Sequence, residues 1–92
     1  MEYSKMQAAL AIISRCDTFS ITESDKTMII SVFGTIIKDL QEKGFPITTE
    51  IYAQYAILKV STWSDGYFCI VARQMCSALY PIVNLFAKVY DD

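Results

Sequence analysis

The chain has 92 residues, of which 53% are hydrophobic and 20% are charged, and its formal net charge is -2. This length accommodates a single domain over residues 1–92 and excludes a multidomain enzyme. The mean hydropathy of +0.31 excludes a disordered chain, and the pI of about 4.9 with singly scattered Lys and Arg argues against non-specific nucleic-acid binding. Because a small domain buries only about two-thirds of its unfolded surface, we expect exposed apolar surface that a partner covers.

The first predicted element is an amphipathic helix over residues 2–16. Its apolar residues recur at spacings of three and four, the period of one helix face; they are Tyr3, Met6, Leu10 and Ile13. The following segment, residues 17–21, is rich in β-branched and hydroxyl side chains that disfavour helix interiors. Thr22 and Asp25 then have the spacing of a capping box, which predicts that a second helix begins near Glu23.

The second helix is predicted over residues 23–43, with Gly44 as the signal for its end. Acidic residues in its first turn and Lys43 at its other end suit the helix dipole. A broad apolar stripe indicates packing on two neighbours; it comprises Met28, Ile29, Val32, Phe33, Ile36, Ile37 and Leu40. Gly34 costs up to about 1 kcal/mol relative to Ala in mid-helix, so it either marks a close helix crossing or is simply tolerated.

A third helix is predicted over residues 49–61, with Thr48 or Thr49 as its cap. The turn that follows ends at Ser64 and Asp65, and one of these two residues is expected to cap a fourth helix.

Pro81 interrupts the fourth helical pattern. Proline lacks a backbone N–H, so it either kinks this helix or opens a fifth helix over residues 81–90. No hairpin dipeptide links alternating apolar runs, which disfavours strands. The sequence therefore predicts an all-α fold, a small bundle of four to five helices.

The three cysteines, Cys16, Cys69 and Cys76, are predicted to be reduced thiols that pack as small apolar side chains. Their odd number is unlike the dense, even pattern of a secreted disulfide scaffold. Cys69 and Cys76 lie two helical turns apart, too far for a disulfide within one helix. A metal site would need Cys16 as a further ligand, and no CxxC spacing supports one. Because the N-terminus also lacks a basic region followed by a long apolar run, we expect a cytoplasmic protein without bound metal.

No catalytic constellation is found in the sequence. The chain contains no histidine, which removes the commonest general base and the usual partner of a Ser or Cys nucleophile. No glycine-rich phosphate loop is present either. We therefore predict a protein that is not an enzyme and binds no cofactor.

A long apolar segment, residues 66–87, carries Arg73 as its only charge. Its length approaches that of a transmembrane helix. Pro81, the cost of burying Arg73 and the lack of a flanking cationic cluster favour a core or dimer-interface helix instead. We expect Arg73 at the edge of that helix or paired across the interface with Asp65 or Asp39.

Aromatic residues are numerous, with six Tyr, five Phe and one Trp, and the tyrosines concentrate in the second half of the chain. Tyrosine suits half-buried positions and is enriched at protein interfaces. We therefore predict an interaction surface in this half, formed by Tyr52, Tyr55, Trp63, Phe68, Arg73 and Phe86.

The order of elements over residues 23–83 carries a family resemblance. It comprises an acid-started helix with Val32, Ile36 and Ile37 in its stripe, the Gly44 turn, a helix from Ile51 to Leu58, and Ser64 and Asp65 with Arg73 eight residues after the aspartate. In this order the chain resembles the small enterobacterial biofilm and acid-resistance regulators of the AriR type, short connector proteins of two-component signalling. The resemblance implies an all-helical homodimer without enzymatic activity that acts through a regulatory protein partner, with effects at promoters.

The leading functional hypothesis is a cytoplasmic regulatory protein that homodimerises and binds another protein to modulate it. One alternative is a DNA-associated transcriptional regulator whose dimer gathers the dispersed Lys and Arg into one patch, although nucleic acid is the less expected partner. Another alternative is an immunity or phage-type inhibitor of a toxin or host enzyme. The last alternative is a membrane-associated protein. No transmembrane span is expected.

Overall fold

A computed structural model describes residues 2–60 and 64–90, and the side chains of Phe86 and Tyr90 lie outside the described part. Its elements are α1 (Tyr3–Ile13), α2 (Glu23–Glu42), α3 (Thr49–Leu58) and α4 (Asp65–Tyr90). The described residues contain no strand. The all-α prediction is confirmed, with four helices.

Both ends of α2 follow from local sequence signals. Thr22 Oγ1 accepts a hydrogen bond from the Asp25 N–H at 3.1 Å, and the Thr22 N–H donates to Asp25 Oδ2 at 3.0 Å. The predicted capping box is therefore confirmed. At the other end, Gly44 adopts a φ of 83°, which glycine tolerates best. The Phe45 N–H then reaches back to the Leu40 carbonyl at 3.0 Å, closing a Schellman motif.

The first helix ends at Ile13, earlier than predicted. The N–H groups of Arg15 and Cys16 donate to the Ile12 and Ile13 carbonyls at 3.1 and 2.9 Å, only three residues back. This tightening of the last turn ends the regular helix before Cys16, whose side chain turns toward α4.

The later helices begin at two of the predicted caps. Thr48 Oγ1 accepts from the Ile51 N–H at 3.3 Å at the start of α3. Ser64 Oγ accepts from the Tyr67 N–H at 3.2 Å at the start of α4. α3 ends at Leu58, before the predicted residue 61, which lies outside the described part.

A single helix contains Pro81, so of the two alternatives at this proline the fifth helix is the wrong one. Val83, two residues further on, is fully buried, because the apolar stripe of α4 continues across the proline. Continued burial of that stripe offsets the backbone hydrogen bond that Pro81 removes.

The core centres on α4, against which α1 and α3 pack more extensively than α2 packs on any helix. The largest fully buried side chains come from all four helices; they are Phe33, Met6, Leu10, Ile36, Leu40, Ile51, Leu58, Met75, Leu79, Val83, Cys69 and Cys76. α4 is long and apolar enough over Asp65–Val89 to cross a membrane by length and composition, and 44% of its apolar window is buried inside the fold. The buried part of this window belongs to the core, which is one of the two roles predicted for the segment.

Candidate interaction groove between α1 and α2

An open apolar groove of about 340 Å³ lies between the end of α1 and the first half of α2. We call it the α1–α2 groove. Its apolar lining residues are Ala9, Ile12, Ile13, Ile21, Met28, Ile29 and Val32, and its lining also includes Arg15, Cys16, Asp17, Ser20 and Asp25. Ile12 and Met28 are 67% and 56% exposed. Large apolar side chains on two helices thus border one surface opening.

The groove arises because only some of the apolar residues of α1 face the core. Leu10 and Ile13 are buried in the core, and α1 packs mainly on α4. Ile12 lies on another part of the helix surface, toward α2, where packing between the two helices is sparse. α1 therefore carries more apolar surface than the core covers, and the excess lines the groove.

A disulfide anchors the end of the groove. Cys16, which lines the groove, is bonded to Cys69 in the first turns of α4, with their Cα atoms 5.5 Å apart. The prediction of three reduced thiols is therefore wrong for this pair. Its members are separated by 53 residues, and sequence spacing within one helix carries no information about a bridge between distant elements.

Cys76 is the free cysteine of the described residues, and it is buried as predicted. Desolvation raises the pKa of its thiol to about 12. At neutral pH the thiol is therefore protonated and has little nucleophilic character.

Arg73 forms a second link between Cys16 and α4. Its guanidinium donates to the backbone carbonyl of Cys16, which follows α1. Two alternatives were predicted for Arg73, the edge of the helix or a pairing across an interface with Asp65 or Asp39. Within one molecule, Asp65 pairs with Lys26. Arg73 therefore tethers the chain beyond α1 to α4 within one molecule.

Lys26 ties α2 to the start of α4, a contact that the sequence analysis missed. Its Nζ pairs with Asp65 and lies 3.2 Å from Glu23 Oε1, and it sits 5.8 Å from the centre of the Phe68 ring. Hydrogen bonds to Asp65 and then Glu23 raise the pKa of Lys26. The (i, i+3) spacing of Glu23 and Lys26 indicates their pairing within α2, but no sequence spacing pointed to Asp65.

The predicted interaction surface of the second half is described only in part. Phe68 is 3% exposed and belongs to the core, so its assignment to a surface is corrected. Tyr52 is exposed on α3, whereas Tyr55 is half-buried. Trp63 and the side chain of Phe86 lie outside the described part of the structure.

Tyr55 faces the middle of α2. A Cβ atom placed on Gly34 would lie 2.5 Å from the Tyr55 hydroxyl oxygen. Gly34 therefore marks a close approach between α2 and α3, made by the Tyr55 side chain.

Phe19 is an exposed aromatic residue that the sequence analysis did not select. It lies in the connection between α1 and α2, and its side chain is 97% exposed. The neighbouring residues Asp17 and Ser20 line the α1–α2 groove. The available sequence signal was a phenylalanine inside a polar turn. A phenyl ring in such a turn is buried only if a partner supplies the apolar surroundings.

Residues 2–60 and 64–90 contain no group of three or more His, Cys, Asp or Glu side chains that could hold a metal ion. Comparisons with family models, with curated proteins and with solved structures found no match.

Proposed function

We propose that this chain is a small, non-enzymatic regulatory protein that homodimerises and binds another protein, and that the α1–α2 groove is its self-association site. The observation that carries the proposal is the groove, in which the exposed side chains of Ile12 and Met28 border one opening of about 340 Å³. Exposed apolar surfaces of this kind are typical of protein interaction sites.

The environments of two reactive side chains, Cys76 and Lys26, support binding in preference to chemistry. The Cys76 thiol is buried, and its pKa is raised to about 12. Lys26 is held by two carboxylates, which favour its charged form over the neutral amine that a nucleophile or base requires. Neither side chain is therefore suited to act as a nucleophile or base, which favours a binding role for the apolar groove.

A likeness to AriR-type regulators and a cytoplasmic location belong to the same proposal. The four-helix order supports the likeness, since that resemblance implies an all-helical homodimer. A disulfide is unusual in a reducing compartment. Cys16 and Cys69 are only 8% and 1% exposed, and this burial restricts the access of reducing agents.

The proposal is tested by sedimentation equilibrium of the full chain across a wide concentration range. We expect the mass to rise from 10.4 kDa toward twice that value as the concentration increases. A constant mass of 10.4 kDa at all concentrations would contradict homodimerisation.

Two matched variants locate the interface. Ile12→Glu places a charge in the groove, whereas Ile70→Glu places one on the outer surface of α4, where Ile70 is 53% exposed. We expect Ile12→Glu to weaken the dimer and Ile70→Glu to leave it intact. The opposite result would move the interface to the second half of the chain.

A further inference from the structure

Phe19 extends away from its own molecule. Its side chain is 97% exposed, so it does not fill the groove beside which it stands. Asp17 Oδ1 accepts a hydrogen bond from the Phe19 N–H at 3.0 Å, and the Ser20 N–H donates to the Asp17 carbonyl at 3.1 Å. These two bonds form a turn that holds the backbone of Phe19 in one conformation.

Both sides of this turn are anchored to the fold. The preceding residue Cys16 is bonded to Cys69 and accepts a hydrogen bond from Arg73. The capping box of Thr22 follows the turn. An exposed aromatic residue on a fixed base is pre-organised for binding, because little conformational entropy is lost when a partner covers it.

The α1–α2 groove has the size and chemistry to accept a phenyl ring. Its volume of about 340 Å³ exceeds the roughly 150 Å³ of an apolar cavity that holds benzene. Its apolar lining includes Met28, whose flexible thioether adapts to irregular partners and makes favourable contacts with aromatic rings.

We propose that Phe19 of one copy occupies the α1–α2 groove of a second copy, and that the second copy returns the same contact. This inference rests on the proposed homodimer and names the side chain that joins it. Because Asp17 and Ser20 line the groove, the donor side chain stands at the edge of the acceptor site. A two-fold axis near that edge lets two copies exchange identical contacts, as an isologous dimer requires.

The charges around the groove suit a second copy. Its lining includes the cationic Arg15 and the acidic Asp17 and Asp25. A surface that carries both signs is complementary to itself, since a two-fold rotation can place the arginine of one copy opposite an acid of the other. A strongly acidic or basic partner would meet charges of its own sign there.

The first test removes the donor side chain. Phe19→Ser is compared with Leu85→Ser, which removes a 48% exposed apolar side chain from α4. We expect Phe19→Ser to raise the dimer dissociation constant more than tenfold in sedimentation equilibrium, because both exchanged rings are lost. Leu85→Ser should leave the constant within twofold of the original value. Far-UV circular dichroism and the melting temperature of Phe19→Ser should match the unsubstituted protein at concentrations where both are monomeric.

The second test asks whether the exchange is reciprocal. Met28→Glu disables the acceptor groove but keeps Phe19, whereas Phe19→Ser keeps the groove. Each variant alone should dimerise weakly, because neither contact can form. A mixture of the two restores one of the two contacts, so we expect it to associate at least severalfold more tightly than either variant alone.

The outcomes separate this inference from the proposed function. If the unsubstituted chain dimerises and Phe19→Ser dimerises equally well, the Phe19 exchange is overturned while the homodimer stands. If the mixture of variants associates no better than its components, the reciprocal contact is overturned. A strictly monomeric unsubstituted chain overturns both.

Discussion

Large apolar side chains around α4 and in the α1–α2 groove differ in their exposure to solvent. Around α4, the side chains of Met75, Leu79 and Val83 are fully buried beneath α1 and α3. Between α1 and α2, Ile12 and Met28 are more than half exposed. The chain thus completes one core and leaves a second apolar surface without intramolecular cover.

This contrast shows that an apolar stripe on a helix is not by itself evidence of a buried position. α1 uses one part of its surface to pack on α4 and presents Ile12 on another. The loop between α1 and α2 is anchored to α4 at Cys16, which also lines the groove. Burial is therefore concentrated around α4, and the groove is the proposed site of binding.

The largest expected difference between the two regions comes from the same substitution at two methionines. Met75→Ala removes a fully buried side chain from α4, and we expect it to lower the free energy of unfolding by about 2–5 kcal/mol. Met28→Ala acts on a 56% exposed side chain, and we expect a change within about 0.5 kcal/mol. Urea denaturation of the monomer, followed by circular dichroism, measures both. Equal losses would mean that the groove is as closely packed as the core.

Removing the disulfide should produce the next largest effect. Cys16 and Cys69 close a loop with a sequence separation of 53 residues, and cross-links of this span stabilise proteins by about 2–4 kcal/mol. We expect Cys16→Ser and Cys69→Ser each to lower the urea midpoint, and reductant to have the same effect on the unsubstituted protein.

Cys76→Ala is the control for this experiment, because Cys76 is a free thiol. This variant should keep its sensitivity to reductant. Thiol titration in denaturant without reductant should find one reactive cysteine in the unsubstituted chain. Three reactive cysteines would contradict the bridge.

Much of the fold could be predicted from local sequence signals. Thr22 and Asp25 predicted the start of α2, and Gly44 predicted its end, because helix termini depend on hydrogen bonds between residues close in the chain. The sequence did not predict whether α4 continues through Pro81 or ends there. That outcome depends on how well the following turns are buried, which is a tertiary property.

The candidate site was harder to predict. The sequence indicated surplus apolar surface in the second half of the chain, where large apolar side chains are indeed exposed; they are Tyr52, Val60, Tyr67, Ile70, Leu85 and Val89. It gave no sign of the groove in the first half, and Phe68 proved to be buried. Phe19 was overlooked because a single aromatic residue in a polar turn has no periodicity. The Cys16–Cys69 bridge depends on the packing of α1 against α4, and no spacing rule reveals which surfaces meet.

A smaller effect is expected where α2 and α3 cross. Gly34→Ala gains up to about 1 kcal/mol of helix propensity, but its Cβ would approach the Tyr55 hydroxyl oxygen to 2.5 Å. We expect the steric conflict to win and lower the free energy of unfolding by about 1 kcal/mol.

Tyr55→Phe provides the matched background, because it removes the oxygen atom and keeps the ring. In that background the loss caused by Gly34→Ala should shrink or reverse, and a double-mutant cycle in urea measures the difference. The same loss in both backgrounds would show that Tyr55 does not limit the space at Gly34. The result thus measures how closely α2 and α3 pack at Gly34, in comparison with the open α1–α2 groove.

The smallest effect concerns the tie between α2 and α4 at Lys26. Asp65 and Glu23 raise the pKa of Lys26 above its ordinary value of 10.5, so the folded state favours the charged amine. The stabilisation is fully present below pH 10.5 and is lost as the pH rises through the higher pKa of the folded protein. Lys26→Met should therefore be slightly less stable than the unsubstituted protein at neutral pH, and the difference should narrow in strong alkali. Both proteins contain Cys76, so its ionisation cancels in the comparison.

Lys38→Met, which changes an exposed lysine on the same helix, is the control. A gap for Lys26→Met that stays constant from pH 7 through alkali would show that packing over Phe68, and not charge, joins α2 to α4.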